Sequence, residues 1–322
     1  MRKIGVLTSG GDAPGMNACL RAIVRAACLK GAVVIGIRKG YSGLFSRETV
    51  ELGVRSVSNI LQLGGTFLET SRNEEMKRVE GRKKAIQFLN SEGIEGLITI
   101  GGEGTFKGAA ALAEEGGIKI IGVPGTIDND VYGTDFCIGF DTAVNTALES
   151  IDKIRDTANS LDRLFFVEVM GRTRGFIALE VGIAAGAEEI LVPELKTDLD
   201  SLCRVINETL QRGKRSLIVV VSEGDVPGGA IEIARNVTRC VGVESRVTIL
   251  GHVQRGGSPT ARDRILASRL GVSAVDALLS GRSGYMVGEV KGETVLTPLR
   301  DTWEKEKPLN NYDLHLAKIL AT

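Results

Sequence analysis

Short apolar runs alternate with helical patterns along almost the whole chain. The runs predict buried strands over 4–7, 33–37, 96–100, 118–123, 164–169, 190–192, 217–221 and 247–250. The helical patterns cover 15–29, 83–89, 106–114, 142–158, 177–187, 199–210, 230–240 and 263–279, and a charged tail follows. This order predicts βαβ units, which form mostly parallel sheets covered by helices. The strands are too numerous for one compact sheet, so we predict two three-layer α/β domains with a cleft between them.

The composition narrows the class of protein. The chain has 322 residues, of which 43% are hydrophobic, and 40 basic residues balance 40 acidic ones. This balance argues against nucleic acid as a bulk electrostatic partner. No apolar run reaches the length of a membrane span, and the first residues enter a strand without a signal-peptide core. We therefore expect a cytoplasmic protein.

Cysteine and histidine are too scarce to carry the chemistry. The five cysteines form no Cys-x-x-Cys pair, so we interpret them as small buried hydrophobic residues and not as disulfides or metal ligands. Two histidines cannot supply a typical zinc site or a His-centred triad. The chemistry must rest on carboxylates, arginines and backbone groups.

The segment from Pro124 to Asp130 is the strongest candidate for a reacting centre. It follows the apolar run 118–123, and its Pro-Gly start ends that strand. Ligands of parallel sheets bind at the carboxyl ends of strands. Asp128 and Asp130 are spaced so that one carboxylate can face a reacting group while the other faces a metal ion. An ordinary acidic turn would have the same composition.

Two glycine-rich turns predict a cradle for phosphate groups. One turn, Thr8 to Asn17, and another, Gly101 to Thr105, each join a strand to a helix. Glycines allow the backbone to approach phosphate closely, and a helix N-terminus offers free N–H groups. Neither turn is a Walker A or a Rossmann sequence. Arg72 is a candidate phosphate clamp, with a solvated loop arginine as the alternative.

Arginines and a histidine mark the ends of later strands. Met170, Gly171 and Arg172 follow one strand, and the segment 251–257, with His252 and Arg255, follows another. Arg163 and Arg246 come just before the same two strands. Arginine holds a compact dianion with paired hydrogen bonds, each worth about 1.5–3 kcal/mol. The pattern favours a sugar-phosphate site, with surface arginines as the alternative.

Together these motifs resemble the 6-phosphofructokinases of the bacterial ATP-dependent type over nearly the whole chain. The resemblance rests on residues 10–17, 124–130, 170–172 and 251–257 in this order. It implies phosphorylation of the 1-hydroxyl of fructose 6-phosphate by ATP and Mg²⁺, the committed step of glycolysis. It also implies a homotetramer. We assign the larger, nucleotide-binding domain to 1–138 plus 252–304 and the smaller, sugar-phosphate-binding domain to 139–251 plus 305–322.

The resemblance also implies roles for individual residues. Asp128 is the expected catalytic base, supported by Thr126, Arg172 and Gly11. The expected nucleotide-binding residues are Gly11, Tyr41, Arg72, Gly102, Glu103, Gly104, Thr105 and Gly108, with Glu103 and Asp130 at the metal. The expected sugar-phosphate residues are Thr126, Asp128, Asp130, Met170, Gly171, Arg172, Glu223, His252 and Arg255, with Arg163 and Arg246 reaching in from a neighbouring subunit.

A regulatory site between subunits is implied as well, for ADP or phosphoenolpyruvate. Its expected residues are Arg21, Arg25, Arg55, Arg155, Glu188, Arg212, Lys214 and Arg215. Arg21 and Arg25 share a helical face at i and i+4. A solvated charged face is the alternative interpretation of these residues.

Some positions depart from the family pattern. Glu103 stands where the family has its metal-binding Asp, which moves the carboxylate by about 1.5 Å. A weakly active enzyme or a non-catalytic regulatory paralogue therefore stays open. Gly104 and Gly125 favour ATP, because pyrophosphate-using relatives carry Asp and Lys there. Thr105 and Phe176 are typical of pyrophosphate or mixed-donor relatives, so a pyrophosphate-dependent enzyme also stays open.

Overall fold

The computed structural model describes residues 1–71, 73–161, 163–214 and 216–321. The chain divides into two compact units. The first unit is Met1–Thr142 with Arg255–Lys307, and the second unit is Ala143–Gln254 with Pro308–Thr322. The bounds predicted from the sequence, after 138, 251 and 304, lie slightly earlier in the chain. Which unit binds which substrate stays a prediction.

The first unit is built on one seven-stranded sheet. Its strands are β1 (Lys3–Thr8), β2 (Val33–Ile37), β3 (Thr49–Leu52), β4 (Gly96–Gly101), β5 (Lys119–Pro124), β10 (Tyr285–Val290) and β11 (Glu293–Pro298). They lie in the order β11-β10-β5-β4-β1-β2-β3, and the central strands are parallel. The edge strands β3 and β11 are antiparallel to their neighbours.

Helices cover this sheet because their apolar sides face it. They are α1 (Met16–Leu29), α2 (Ser42–Ser46), α3 (Val79–Ser91), α4 (Glu103–Gly116), α9 (Ala261–Leu279) and α10 (Asp301–Glu304), with a 3₁₀ turn at Glu74–Lys77. Helix α9 packs on α1 and on β5, whereas α4 packs on β4 and β5. Gly271 permits the close approach of α9 to α1, since a Cβ there would lie 2.9 Å from the Cys19 carbonyl oxygen.

The second unit has a smaller sheet of the same kind. Its strands are β6 (Leu164–Val169), β7 (Glu189–Leu191), β8 (Leu217–Ser222) and β9 (Ser245–Ile249), all parallel and in the order β7-β8-β6-β9. Its helices are α6 (Phe176–Ala185), α7 (Leu199–Gln211), α8 (Gly229–Val241) and α11 (Asn311–Leu320), with a 3₁₀ turn at Gly251–Arg255. Helix α5 (Phe140–Leu161) contains the residue at which the first unit gives way to the second. Phe166, Val219 and Ile206 are among the side chains in the core between the sheet, α7 and α8.

The interpretation of the last residues as a charged tail was wrong. Strands β10 and β11 form a hairpin in which Val290 pairs with Glu293 across the two residues Lys291 and Gly292. Both turn residues have positive φ, as a tight hairpin turn requires. The hairpin escaped notice because β11 is an edge strand whose residues are mostly exposed, so its apolar pattern is weak.

The interpretation of the cysteines was wrong at one pair. Cys203 and Cys240 form a disulfide, with Cα atoms 6.4 Å apart and a sequence separation of 37. They meet because α7 packs against α8, a neighbour relationship that sequence spacing does not reveal. Cys19 and Cys137 are buried free thiols, as predicted.

No helix within the described ranges is both long enough and apolar enough to cross a membrane.

Candidate active site

The two glycine-rich turns meet at the carboxyl ends of neighbouring strands. Strand β1 lies between β2 and β4, so the chain proceeds from β1 to one side and later returns on the other. A crevice forms outside the strand ends where the strand order reverses in this way, and ligands of open α/β sheets bind there. Thr8 at the end of β1 is in register with Ile100, and Gly101 is in register with Pro124. The ends of β1, β4 and β5 therefore lie side by side.

Hydrogen bonds to backbone carbonyl oxygens hold the first two turns together. The Thr105 hydroxyl donates to the Ser9 carbonyl oxygen at 3.0 Å, and the Ser9 N–H donates to the Ile100 carbonyl oxygen at 3.0 Å. A Cβ on Gly101 would overlap the Ser9 carbonyl oxygen, so this approach requires glycine. Helices α1 and α4 begin in these turns, and neither has a side-chain cap. Their first N–H groups suit the oxygens of a phosphate chain.

Tyr41 packs under the second glycine-rich turn, Gly101 to Thr105, and forms a hydrogen bond with it. Its side chain is 4% exposed, and its hydroxyl donates to the Thr105 carbonyl oxygen at 2.5 Å. Burial raises the pKa of this hydroxyl. A Cβ on Gly108 would lie 2.9 Å from the Tyr41 ring, so Gly108 is where α4 passes over it. Arg72 lies outside the described residues, but the Thr70 hydroxyl donates to the Gly10 carbonyl oxygen at 2.9 Å, so the chain before Arg72 runs beside the first turn.

The β5 turn carries the candidate base next to these turns. The Gly125 N–H donates to the Gly101 carbonyl oxygen at 3.0 Å, and a Cβ on Gly102 would lie 3.6 Å from Thr126. The Thr126 hydroxyl accepts from the Asp128 N–H at 3.3 Å. Asp128 is 6% exposed, so its carboxyl group is largely shielded from water. Thr126 and Asp128 therefore lie beside the start of α4.

The oxygen ligands at this edge fit Mg²⁺. Within the described residues no group of three or more acidic, His or Cys side chains could hold a metal ion by itself. Mg²⁺ in phosphoryl-transfer sites needs one or two carboxylates, with phosphate oxygens and water completing the shell. Glu103, the first residue of α4, and Asp130, after β5, can supply them. The Glu103 carboxylate contacts the Lys107 ammonium one helical turn later.

Arg255 lies against the first turn. Its guanidinium is 2.7 Å from the Asp12 carboxylate, and a Cβ on Gly11 would overlap it. A predicted sugar-phosphate residue and the predicted nucleotide turn thus belong to the same unit and touch each other.

The second sheet has its own reversal of strand order, at β6. Strand β6 lies between β8 and β9, and the candidate sugar-phosphate residues of this unit follow β6, β8 and β9. The Met170 N–H donates to Gln254 Oε1 at 2.8 Å, which joins the two strand ends. The Arg172 N–H donates to Glu223 Oε1 at 2.7 Å, and Arg172 has a left-handed φ of 56°. His252 is exposed in the 3₁₀ turn that contains Gln254.

Sequence reasoning missed Gln254. Its side chain is fully buried, and no partner is found for Nε2 among the described residues. The sequence shows only that a glutamine stands between His252 and Arg255. Nothing in that position indicates a hydrogen bond with Met170, which lies 84 residues earlier.

Arg163 and Arg246 lie at the other end of the second sheet. Arg163 precedes β6, and Arg246 is the second residue of β9, where it forms an ion pair with Glu244 at 2.8 Å. Strand β6 separates Arg163 from Met170. Within this chain the two arginines do not join the candidate sugar-phosphate residues.

The expected regulatory residues are divided between the units. Arg21, Arg25 and Arg55 belong to the first unit. In the second unit the buried Glu188 carboxylate lies 2.5 Å from the Lys214 ammonium and 3.9 Å from Arg155. Arg212 and Glu188 both line a cavity of about 250 Å³ that α11 borders. Arg215 lies outside the described residues.

Residues 3–278 match the phosphofructokinase family. The chain belongs to this family. The ATP-dependent 6-phosphofructokinase 1 of Thermus thermophilus is 60% identical over 321 residues, which cover 100% of both chains. The ATP-dependent 6-phosphofructokinase of Clostridium tetani is 55% identical with the same coverage.

Solved structures share the fold of this phosphofructokinase. The phosphofructokinase of Saccharomyces cerevisiae superposes with a TM-score of 0.90 at 34% identity, covering 100% of this chain and 48% of the yeast chain. The present chain thus spans about half the length of the yeast one. A pyrophosphate-dependent phosphofructokinase of Marinobacter aquaeolei has a TM-score of 0.85 at 22% identity, covering 100% of this chain and 91% of the other, which shows the shared fold alone.

Proposed function

We propose that this phosphofructokinase transfers the terminal phosphoryl group of ATP to the 1-hydroxyl of fructose 6-phosphate. The observation that carries the proposal is that the Asp128 turn follows β5 while two uncapped helices begin after the neighbouring strands β4 and β1. The full-length relatives named as ATP-dependent 6-phosphofructokinases support it.

Asp128 is the proposed base. Its buried carboxylate accepts the proton of the sugar hydroxyl as the bond to phosphorus forms. Thr126 holds the turn at the Asp128 N–H, while Gly11 allows the Arg255 guanidinium to lie against the first turn. Arg172 offsets negative charge that develops on the transferred group. Phosphoryl transfer needs positioning and charge neutralisation more than covalent help, and these groups supply both.

Glu103 and Asp130 are the proposed ligands of Mg²⁺. When bound, the ion supplies positive charge that neutralises the phosphate oxygens. Lys107 competes for the Glu103 carboxylate and must release it for the ion. The other proposed nucleotide groups are Tyr41, Arg72, Gly102, Gly104, Thr105 and Gly108.

The sugar phosphate is proposed to bind at the ends of β6 and β9. Met170, Gly171, Arg172, Glu223, His252 and Arg255 are the proposed ligands within the chain. Two or three charge-assisted bonds to a dianion, each worth about 1.5–3 kcal/mol, would dominate its binding.

ATP is the preferred donor. A Cβ on Gly104 would meet nothing within 4 Å, so this position leaves open space where a larger nucleotide can lie. The relatives of 49–60% identity are named as ATP-dependent enzymes.

The direct test is a donor comparison on the purified protein. With Mg²⁺ and fructose 6-phosphate, we expect fructose 1,6-bisphosphate from ATP and far slower formation from pyrophosphate. Equal or faster turnover with pyrophosphate would overturn the donor assignment. Absence of the bisphosphate with both donors would overturn the function and favour a regulatory paralogue.

Glu103→Asp tests the metal assignment. We expect half-maximal activity at a lower Mg²⁺ concentration than in the wild type, because the shorter carboxylate pairs less closely with Lys107 on the next turn. Lys107→Met should lower the Mg²⁺ requirement in the same direction. An unchanged Mg²⁺ dependence in both variants would place the metal elsewhere.

The assembly and its regulation follow the same proposal. We infer a cytoplasmic homotetramer in which Arg163 and Arg246 serve a neighbouring sugar-phosphate site. This inference fits their place at the far end of the second sheet. A regulatory site for ADP or phosphoenolpyruvate would use Arg21, Arg25, Arg55, Arg155, Glu188, Arg212, Lys214 and Arg215. Sedimentation velocity and turnover with each effector added test these two statements separately.

A further inference from the structure

The residue between the two candidate acids has a left-handed backbone, and both the oxygen and the nitrogen of its side-chain amide form a hydrogen bond. Asn129 has a left-handed φ of 53° and is 3% exposed. Its Oδ1 accepts from the Cys137 N–H at 2.8 Å, and its Nδ2 donates to the Asp135 carbonyl oxygen at 3.2 Å. One side chain thus closes the loop from 129 to 137.

A left-handed residue fixes the directions of its neighbours. Among residues with a Cβ, asparagine and aspartate enter this region most readily. Asn129 lies between Asp128 and Asp130 in the chain, so its φ contributes to the relative direction of their two side chains. The two hydrogen bonds of its side chain hold that φ in place.

The closed loop is itself anchored to the β10–β11 hairpin. The Asp135 N–H donates to the Glu289 carbonyl oxygen at 2.7 Å, and the Glu289 N–H donates to the Thr134 hydroxyl at 3.0 Å. The Lys291 N–H donates to the Asp135 carboxylate at 2.7 Å. We call the loop from 129 to 137, with its hydrogen bonds to the hairpin, the brace. It connects the turn after β5 to the β10–β11 hairpin at the edge of the sheet.

We propose that Asn129 is the positioning residue for the reaction, and that it sets the relative direction of the Asp128 and Asp130 carboxylates through its contacts with Asp135 and Cys137. The proposal rests on the proposed function for the chemistry of the two acids. Asn129 itself touches no reacting atom. A displacement of about 1 Å in such a site can cost on the order of 100-fold in rate.

Two substitutions separate backbone conformation from hydrogen bonding. Asn129→Gly keeps the left-handed conformation and removes both hydrogen bonds. Asn129→Asp keeps the conformation and the acceptor for Cys137 but loses the donor to Asp135. Asn310 caps α11 with an acceptor for the Tyr312 N–H at 3.0 Å, so Asn310→Gly and Asn310→Asp make the same substitutions at an exposed asparagine outside the site and serve as controls.

For Asn129→Gly we expect kcat to fall about 100-fold while KM for fructose 6-phosphate changes by less than about threefold. Hydrogen exchange should be faster at the Cys137 amide than in the wild type. For Asn129→Asp we expect a smaller fall in kcat. The Asn310 variants should change thermal stability alone.

A kcat of Asn129→Gly close to that of the wild type would overturn the inference. So would an unchanged exchange rate at Cys137, or a fall in kcat matched by the fraction unfolded at the assay temperature. If Asn129→Gly does not fold, the kcat of Asn129→Asp decides, and a wild-type kcat in that variant would overturn the inference. A wild-type protein without phosphotransferase activity would overturn the proposed function, whereas the exchange measurement still reports on the brace.

Discussion

The two sheets place candidate groups at the same topological position but build the surroundings differently. At the ends of β1, β4 and β5 the Ser9 and Gly125 N–H groups donate directly to carbonyl oxygens of the neighbouring strand, and glycine at 101 permits this approach. The Thr105 and Tyr41 hydroxyls add hydrogen bonds to backbone carbonyl oxygens there. At the ends of β6 and β9, side chains hold the backbone, as Gln254 does for Met170 and Glu223 does for Arg172.

This difference matches the demands of two kinds of ligand. A phosphate chain is bound well by backbone N–H groups, which need close approach and no side chain. A compact sugar phosphate needs charged and directional side chains, and those side chains need support. The first region should therefore be sensitive to added volume, and the second to lost polar groups.

Asp128→Ser should have the largest effect on the first region. We expect kcat to fall by about 10²–10⁴-fold, because the proton acceptor is gone, with KM for fructose 6-phosphate nearly unchanged. Steady-state kinetics measure both. A variant as fast as the wild type would remove Asp128 from the role of base.

Gly101→Ala should disrupt the first region by volume alone. The new Cβ would overlap the Ser9 carbonyl oxygen and the Thr105 hydroxyl, so we expect a loss of about 1–3 kcal/mol in the free energy of unfolding. Gly104→Ala is the matched control, because its Cβ meets nothing within 4 Å. Equal losses in denaturant titrations of the two variants would contradict the steric argument.

Gln254→Met should disturb the second region by loss of a polar group. The Met170 N–H loses its acceptor, and an unsatisfied buried donor costs about 1–3 kcal/mol. We expect KM for fructose 6-phosphate to rise at least about fivefold, with KM for ATP unchanged. Gln62→Met removes an exposed side chain of the same kind and should change neither constant. A change in KM for ATP alone would assign Gln254 to the other region.

The smallest expected effect is a change of stability with pH, caused by one acid in each unit. Burial raises the pKa of Asp263, while hydrogen bonds from Thr142 and Gly139 lower it. Burial also raises the pKa of Asp225, opposed by Thr197. A folded-state pKa above the ordinary value means that the folded state holds the proton more tightly. The contribution to stability is therefore greatest below the unfolded pKa and is lost as pH rises through the folded one.

We expect the stability of the wild type relative to Asp263→Asn to decline as the pH rises above the ordinary pKa of an aspartate, about 4. The decline for Asp225→Asn should be smaller, because Asp263 is 1% exposed and Asp225 is less buried. Urea titrations at several pH values measure both differences. A rise with pH for Asp263 would mean that its hydrogen bonds outweigh its burial.

Local patterns predicted most of the elements that carry the site. The apolar runs before Gly10, Gly101 and Pro124 are buried strands, and the turns that follow them lie at one edge of a parallel sheet. Period and turn chemistry act over a few residues, so one sequence suffices to recognise them. The motifs are equally short, so they could be recognised as those of the family, and the match of residues 3–278 confirmed this resemblance.

The supports of the site were decided by tertiary structure. Gln254 reaches Met170 across 84 residues, and the hairpin at Glu289 holds Thr134 across 155 residues. Cys203 meets Cys240 only because two helices pack side by side. The sequence by itself determined which strand ends carry the candidate groups, because that depends on neighbours along the chain. The orientation of those groups depends on residues that are distant in sequence and become neighbours only after folding.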